Sequence, residues 1–169
     1  IETPSPGPGE MLVRVHADLE VIRAGFDVRD ELGQVASLMP DLSDPHNGRR
    51  FVVALTFANG FKVVYKPRDL RLEQAYQDLL TWLNARGLPA AMKTLTVVPR
   101  GHYGWVEFVE QAPCEGDDAG RAYYARMGAL LCLGYTFEGC DLHHENIMIC
   151  GAHPVVVDAE TFFYPNPRR

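Results

Sequence analysis

The stretch that most constrains this chain lies near its C-terminus. A polar loop, Gly139-Cys140-Asp141-Leu142-His143-His144-Glu145-Asn146, leads into the apolar run Ile147-Met148-Ile149, and a second apolar run, Val155-Val156-Val157, ends in Asp158. Two short β-rich runs around Gly151 predict a strand, a tight reversal and a return strand. That return would deliver Asp158 beside the loop, so Asp141, Asn146 and Asp158 would converge on one small volume. An acid that accepts a hydroxyl proton, with an amide and a carboxylate that hold Mg²⁺ on a triphosphate, is the equipment of phosphoryl transfer. Asn146 follows Asp141 by five positions and Asp158 follows Asn146 by twelve.

The bulk numbers fit one soluble globular domain with a sizeable core. The chain has 169 residues, 47% of them apolar and 22% charged, which argues against overall disorder. A net charge of -6 gives no general attraction to nucleic acid or to an anionic membrane surface. No apolar run approaches the ~18 residues that span a bilayer, and no signal peptide opens the chain. Cys114, Cys132, Cys140 and Cys150 are far apart and form no C-x-x-C pair, so reduced thiols in a cytoplasmic protein are expected rather than a zinc site or a disulfide framework. The first residue, Ile1, and the abrupt end, Pro165-Asn166-Pro167-Arg168-Arg169, are read as a piece of something longer.

Along the chain, residues 1–9 hold prolines and glycines and read as a linker or frayed terminus. Leu12, Val15, Leu19, Ile22 and Phe26 recur at helical spacing over Glu10 to Phe26. A weak strand over Gln34 to Met39 is followed by turn chemistry from Asp41 to Arg50. Phe51 to Phe57 and Phe61 to Tyr65 form two β-rich runs joined through Asn59-Gly60, a strong hairpin signal. Lys66 stands at the end of the second run, where Pro67 stops the ladder. Arg71 to Arg86 reads as a helix with an apolar stripe of Leu72, Tyr76, Leu79, Leu80 and Leu83, closed by Gly87 and Pro89. Two more strands, Thr94 to Val98 and Tyr103 to Val109, precede a connector and a helix over Ala119 to Phe137.

This order predicts an α+β, protein/lipid kinase-like fold: an N-terminal helix and antiparallel-sheet small lobe over 10–110, then a hinge and the first part of a helical large lobe over 111–169. Glu110 to Pro113 would be the hinge, reading adenine through its backbone.

Lys66, at the tip of a buried strand, would pair with nucleotide phosphates; the bland alternative is a snorkelling edge lysine. Glu73 or Asp78 would orient it, with Gln74 and Gln77 as partial substitutes, unless these are simply solvated helix charges. Asp44 and His46 sit in the turn before the hairpin and can form an acid/base pair, or can be a surface turn capped by Asp44. His143 would prop the loop or contact phosphate.

Together these blocks resemble the dehydratase domain of class II lanthipeptide synthetases from about Leu42 onward. The resemblance rests on Ser43-Asp44-Pro45-His46-Asn47-Gly48, Val64-Tyr65-Lys66-Pro67-Arg68, Gln77-Asp78-Leu79-Leu80, Gly104-Trp105-Val106-Glu107-Phe108-Val109, Asp141-Leu142-His143-His144-Glu145-Asn146 and Val157-Asp158-Ala159-Glu160-Thr161. It implies a kinase-like core that phosphorylates Ser and Thr of a ribosomally made precursor peptide with ATP and Mg²⁺. The phosphate is then eliminated to leave dehydroalanine or dehydrobutyrine, and a separate zinc cyclase domain adds Cys thiols. Matched by position, the resemblance gives Lys66 to ATP, Asn146 and Asp158 to Mg²⁺, Asp141 and His143 to phosphorylation, and Asp44 and His46 to elimination. Further elimination residues and the rest of the large lobe would lie beyond Arg169, so this stretch is not expected to dehydrate a peptide alone. A small-molecule kinase of the aminoglycoside or choline kinase type is the main alternative, since Gly139-Cys140-Asp141-Leu142-His143 through Asn146 also resembles its catalytic loop. Asp44-Pro45-His46 and Lys66-Pro67-Arg68 distinguish the two. A non-catalytic, pseudokinase-like binding module is disfavoured, because Lys66, Asp141, Asn146 and Asp158 are costly to bury without a ligand.

Overall fold

The computed structural model describes residues 8–40, 52–139, 142–143, 146–159 and 162–163. Its elements run α1 (Pro8–Gly25), β1 (Val35–Pro40), β2 (Val53–Phe57), β3 (Lys62–Lys66), α2 (Arg71–Ala85), β4 (Val97–Pro99), β5 (Gly104–Glu107), α3 (Gly116–Thr136), β6 (Ile147–Cys150) and β7 (His153–Val156). The fold is mixed α and β, with antiparallel pairing throughout both sheets. The chain divides into two compact units. One comprises residues up to Leu70 with Thr96–Phe108, the other Arg71–Leu95 with the residues from Val109 onward.

The first unit is a five-stranded sheet in the order β1-β2-β3-β5-β4 with α1 against one face. The Asn59-Gly60 turn joins β2 to β3 as its residue types demand. Gly60 takes a positive φ of 86°, and the Asn59 side chain accepts a hydrogen bond from the Phe61 amide at 2.9 Å. Strand alternation then sorts the side chains. Val53, Leu55, Phe57, Val63, Tyr65 and Trp105 join Met11, Val15 and Ile22 of α1 in one core. Ala54, Val64, Val106 and Val97 pair in a row across the sheet and occupy the opposite face. Both faces are buried at these positions, which is why β2 and β3 carry continuous apolar runs instead of alternating ones.

The helix α1 is rotated from the setting its apolar spacing predicts. That spacing places Leu12 in the buried stripe, yet Leu12 is 47% exposed, and Met11, Val15, Asp18 and Ile22 lie inward. The reason is a carboxylate in the stripe: Asp18, fully buried, is bonded to Tyr103 and Trp105 and fixes the rotation.

In the second unit α2 ends as its sequence indicates, with Gly87 at φ 82° and the Leu88 amide bonded back to the Leu83 carbonyl at 3.3 Å. Asn84 then clasps Met92 through both backbone groups, at 2.8 and 2.9 Å. The buried face of α2 is Glu73, Tyr76, Gln77 and Leu80, not the expected stripe beginning at Leu72, which is 37% exposed. Gln77 is inward because its Oε1 accepts the Leu95 amide at 2.8 Å. Tyr76, Leu80, Met92, Leu130, Val156, Ala159 and Phe162 form this unit's core, with the Tyr76 and Phe162 rings 4.6 Å apart. Among the described residues, no helix is long and apolar enough to cross a membrane.

Candidate functional site

The expected reversal at Gly151 is present. Gly151 has φ 59°, and β6 and β7 pair from Cys150↔His153 to Ile147↔Val156. The ladder extends one step further, since the Val157 amide donates to the Asn146 carbonyl at 3.0 Å. Asn146 and Asp158 are thereby brought to the same, open end of the hairpin. Ahead of them, the Asn146 amide donates to the His143 carbonyl at 3.0 Å. The Asn146 Nδ2 lies 3.3 Å from His143 Nε2, which turns the nitrogen end of the carboxamide to the imidazole and the oxygen end away from it. Leu142 anchors the loop in the unit's core. A Cβ on Gly134 of α3 would lie 2.7 Å from Leu142 Cδ1, so the glycine makes room for that anchor. A carboxamide oxygen and a carboxylate are hard-oxygen ligand types, of the kind Mg²⁺ takes and a thiophilic metal does not.

The segment expected as a hinge is tied to the closed end of this hairpin. The Ala112 amide donates to the Ile149 carbonyl at 2.9 Å, and the Ala112 carbonyl accepts from the Gly151 amide at 3.0 Å. Both backbone groups of Ala112 are thus engaged within the protein. Beside the turn, His153 is flanked by Arg126 and Lys93. Burial, then these two cations, hold its pKa below the ordinary 6.5.

In the first unit, Lys66 is the last residue of β3 and is buried, at 6% exposure. It pairs with Gly104, and it follows Val64 by two, so it shares the sheet face of Ala54, Val64 and Val106. That face carries the row of small apolar side chains Ala54, Val64 and Val106 beside the lysine's position on β3. Of the two acids expected near Lys66 by role, Glu73 is buried at 4% exposure while Asp78 is exposed and bonded to Gln74 at 3.0 Å. Asp44, His46 and Asp141 lie outside the described residues.

Residues 8–169 match the family described as a domain of unknown function, DUF4135. The chain belongs to the DUF4135 family. It is also 30% identical over 135 residues, 75% of its length, to the lacticin 481/lactococcin biosynthesis protein LcnDR2 of Lactococcus lactis subsp. lactis. That alignment spans 14% of the longer protein.

Within this DUF4135 chain, sequence reasoning did not single out the sheet face of Ala54, Val64 and Val106, because the strands are apolar on both faces. It also missed Asp18, although one signal was there: Met11, Val15, Asp18 and Ile22 step by four, three and four, placing an acid inside a helical apolar stripe.

Proposed function

We propose that this chain is the nucleotide-binding and catalytic-loop part of a lanthipeptide synthetase dehydratase, a kinase-like α+β domain acting on Ser and Thr of a precursor peptide. The observation that carries this reading is the pairing at the hairpin mouth, Asn146 beside Asp158 directly after the loop that holds His143. The buried Lys66 on its apolar row and the likeness to a lacticin 481/lactococcin biosynthesis protein support it.

In this mechanism Lys66 would hold the α- and β-phosphates of ATP. Asn146, held by His143, and Asp158 would be the residues that hold Mg²⁺. When bound, the cation would supply positive charge to neutralise the nucleotide phosphates. Asp141 accepts the proton of the peptide hydroxyl as its oxygen bonds to the γ-phosphorus and the bridging oxygen leaves with ADP. In the second step Asp44 and His46 act on the phosphorylated residue: its α-proton is removed, the Cβ–O bond breaks, and inorganic phosphate departs to leave the dehydroamino acid. The surrounding protein would be cytoplasmic and would supply the remainder of the large lobe and a zinc cyclase domain.

Mass spectrometry of precursor peptide incubated with the intact gene product, ATP and Mg²⁺ tests both steps. Lys66→Ala or Asp158→Ala, or removal of Mg²⁺ with EDTA, should leave the peptide without phosphate; normal phosphorylation would refute the nucleotide site. Asp44→Ala or His46→Ala should let phosphopeptide accumulate, and unmodified peptide in both variants would remove the elimination assignment. Phosphate on an aminoglycoside or choline instead of the peptide would transfer the chain to the small-molecule kinases.

A further inference from the structure

A buried carboxylate that the chemistry above does not use sits behind the Lys66 strand. Asp18 of α1 is fully buried, and its Oδ2 accepts hydrogen bonds from Tyr103 Oη at 2.8 Å and Trp105 Nε1 at 2.9 Å. Its Oδ1 lies 2.9 Å from Arg100 Nη2. Tyr103 and Trp105 flank Gly104, the cross-strand partner of Lys66. The other side is tied to α1 as well. Tyr65, which precedes Lys66 and pairs with Trp105, accepts a bond from Arg14 at 2.6 Å. Arg14 stands one turn before Asp18, with its guanidinium 4.4 Å over the Tyr103 ring.

Gly104 has no side chain, and Pro67 ends β3 immediately after Lys66. An apolar residue at position 18 would continue the Met11, Val15, Ile22 stripe without the cost of burying an ion. What the carboxylate adds is direction: two donors on the strand segment opposite Lys66, and the Arg100 guanidinium of the turn before it, are tied to one helix.

We propose that Asp18 is a positioning residue for Lys66, and that α1 sets the nucleotide-binding lysine through the Asp18–Tyr103–Trp105 and Arg14–Tyr65 bonds. This rests on the reading of Lys66 as a phosphate ligand. The test is a double-mutant cycle on ATP·Mg affinity in the intact gene product, measured by calorimetry for wild type, Asp18→Asn, Lys66→Ala and the double variant. Asp18→Asn should weaken ATP roughly tenfold, within the range for residues sharing one network, and raise KM for ATP more than it lowers kcat. In the Lys66→Ala background the same substitution should cost nothing further. Wild-type affinity in Asp18→Asn, or the same loss in both backgrounds, would overturn the proposal and leave a carboxylate that merely helps folding. Unchanged affinity in Lys66→Ala alone would instead refute the nucleotide reading itself, and this inference with it. If Asp18→Asn does not fold, Tyr103→Phe removes a single donor and keeps the ring. It should weaken ATP by roughly threefold with the same cancellation, and no change there would equally overturn the proposal.

Discussion

Gly104 gives the sharpest structural test of the strand pair that carries Lys66. A Cβ built at this position would lie 2.6 Å from Leu70 Cδ1 and 2.7 Å from the Val98 carbonyl oxygen. Leu70 is fully buried, and Val98 belongs to β4, paired to β5 on either side of the contact. Neither neighbour can swing aside, so β4 and β5 must separate. Forcing atoms into a packed site costs about 1–3 kcal/mol, and replacing glycine returns about 0.4–1 kcal/mol from the unfolded chain. Because one contact is backbone, we place Gly104→Ala at a net loss of about 2 kcal/mol, or about thirtyfold in an opening equilibrium. Hydrogen exchange followed by mass spectrometry on the intact gene product reads this locally, as faster exchange of the β5 amides by that factor. Gly128→Ala is the matched control. Gly128 lies within α3, and a Cβ added there would meet nothing within 4 Å, so the substitution should stabilise the helix by about 0.5–1 kcal/mol and slow its exchange by roughly two- to fivefold. Unchanged or slower exchange in Gly104→Ala would refute the packing argument, as would both variants moving in one direction.

Two further outcomes concern the second unit. His153 has a buried Nδ1 without a hydrogen-bond partner among the described residues, and its pKa is depressed by burial, Arg126 and Lys93. The unfolded chain therefore takes up the proton first: the stability contributed by neutral His153 is complete above about 6.5 and is lost as pH falls from there through the folded value. Exchange of the β6–β7 amides, corrected for its intrinsic pH dependence, should show less protection at pH about 5.5 than at about 7.5. His153→Gln should flatten that difference, and an identical pH profile in the variant would assign it elsewhere. Leu80→Ala empties a fully packed position beside Tyr76, Met92 and Phe162 and should cost about 2–5 kcal/mol in chemical denaturation monitored by circular dichroism; a change below about 1 kcal/mol would mean that this core closes over the gap.

The parts of the fold legible in the sequence are those decided by neighbours in the chain. Asn59-Gly60 and Gly151 specify their turns by local conformational preference, so β2–β3 and β6–β7 follow, and with them the approach of Asn146 to Asp158. The rotations of α1 and α2 were not legible, and both failed for one reason. Counting only apolar residues selects Leu12 and Leu72, whereas the buried faces include Asp18 and Gln77, whose partners are Tyr103, Trp105 and Leu95, far along the chain. Periodicity treats a polar residue as a vote for solvent; burial depends on whether a remote donor or acceptor exists, which the local pattern does not contain. Reading a helix with its polar positions admitted to the stripe recovers both settings, 11-15-18-22 in α1 and 73-76-77-80 in α2. It also singles out Asp18 and Glu73, the two carboxylates that close burial on these helices obliges to work through specific partners. Where such a residue breaks an apolar stripe, the interruption carries more information than the stripe, because an unneeded ion would have been cheaper to replace than to bury.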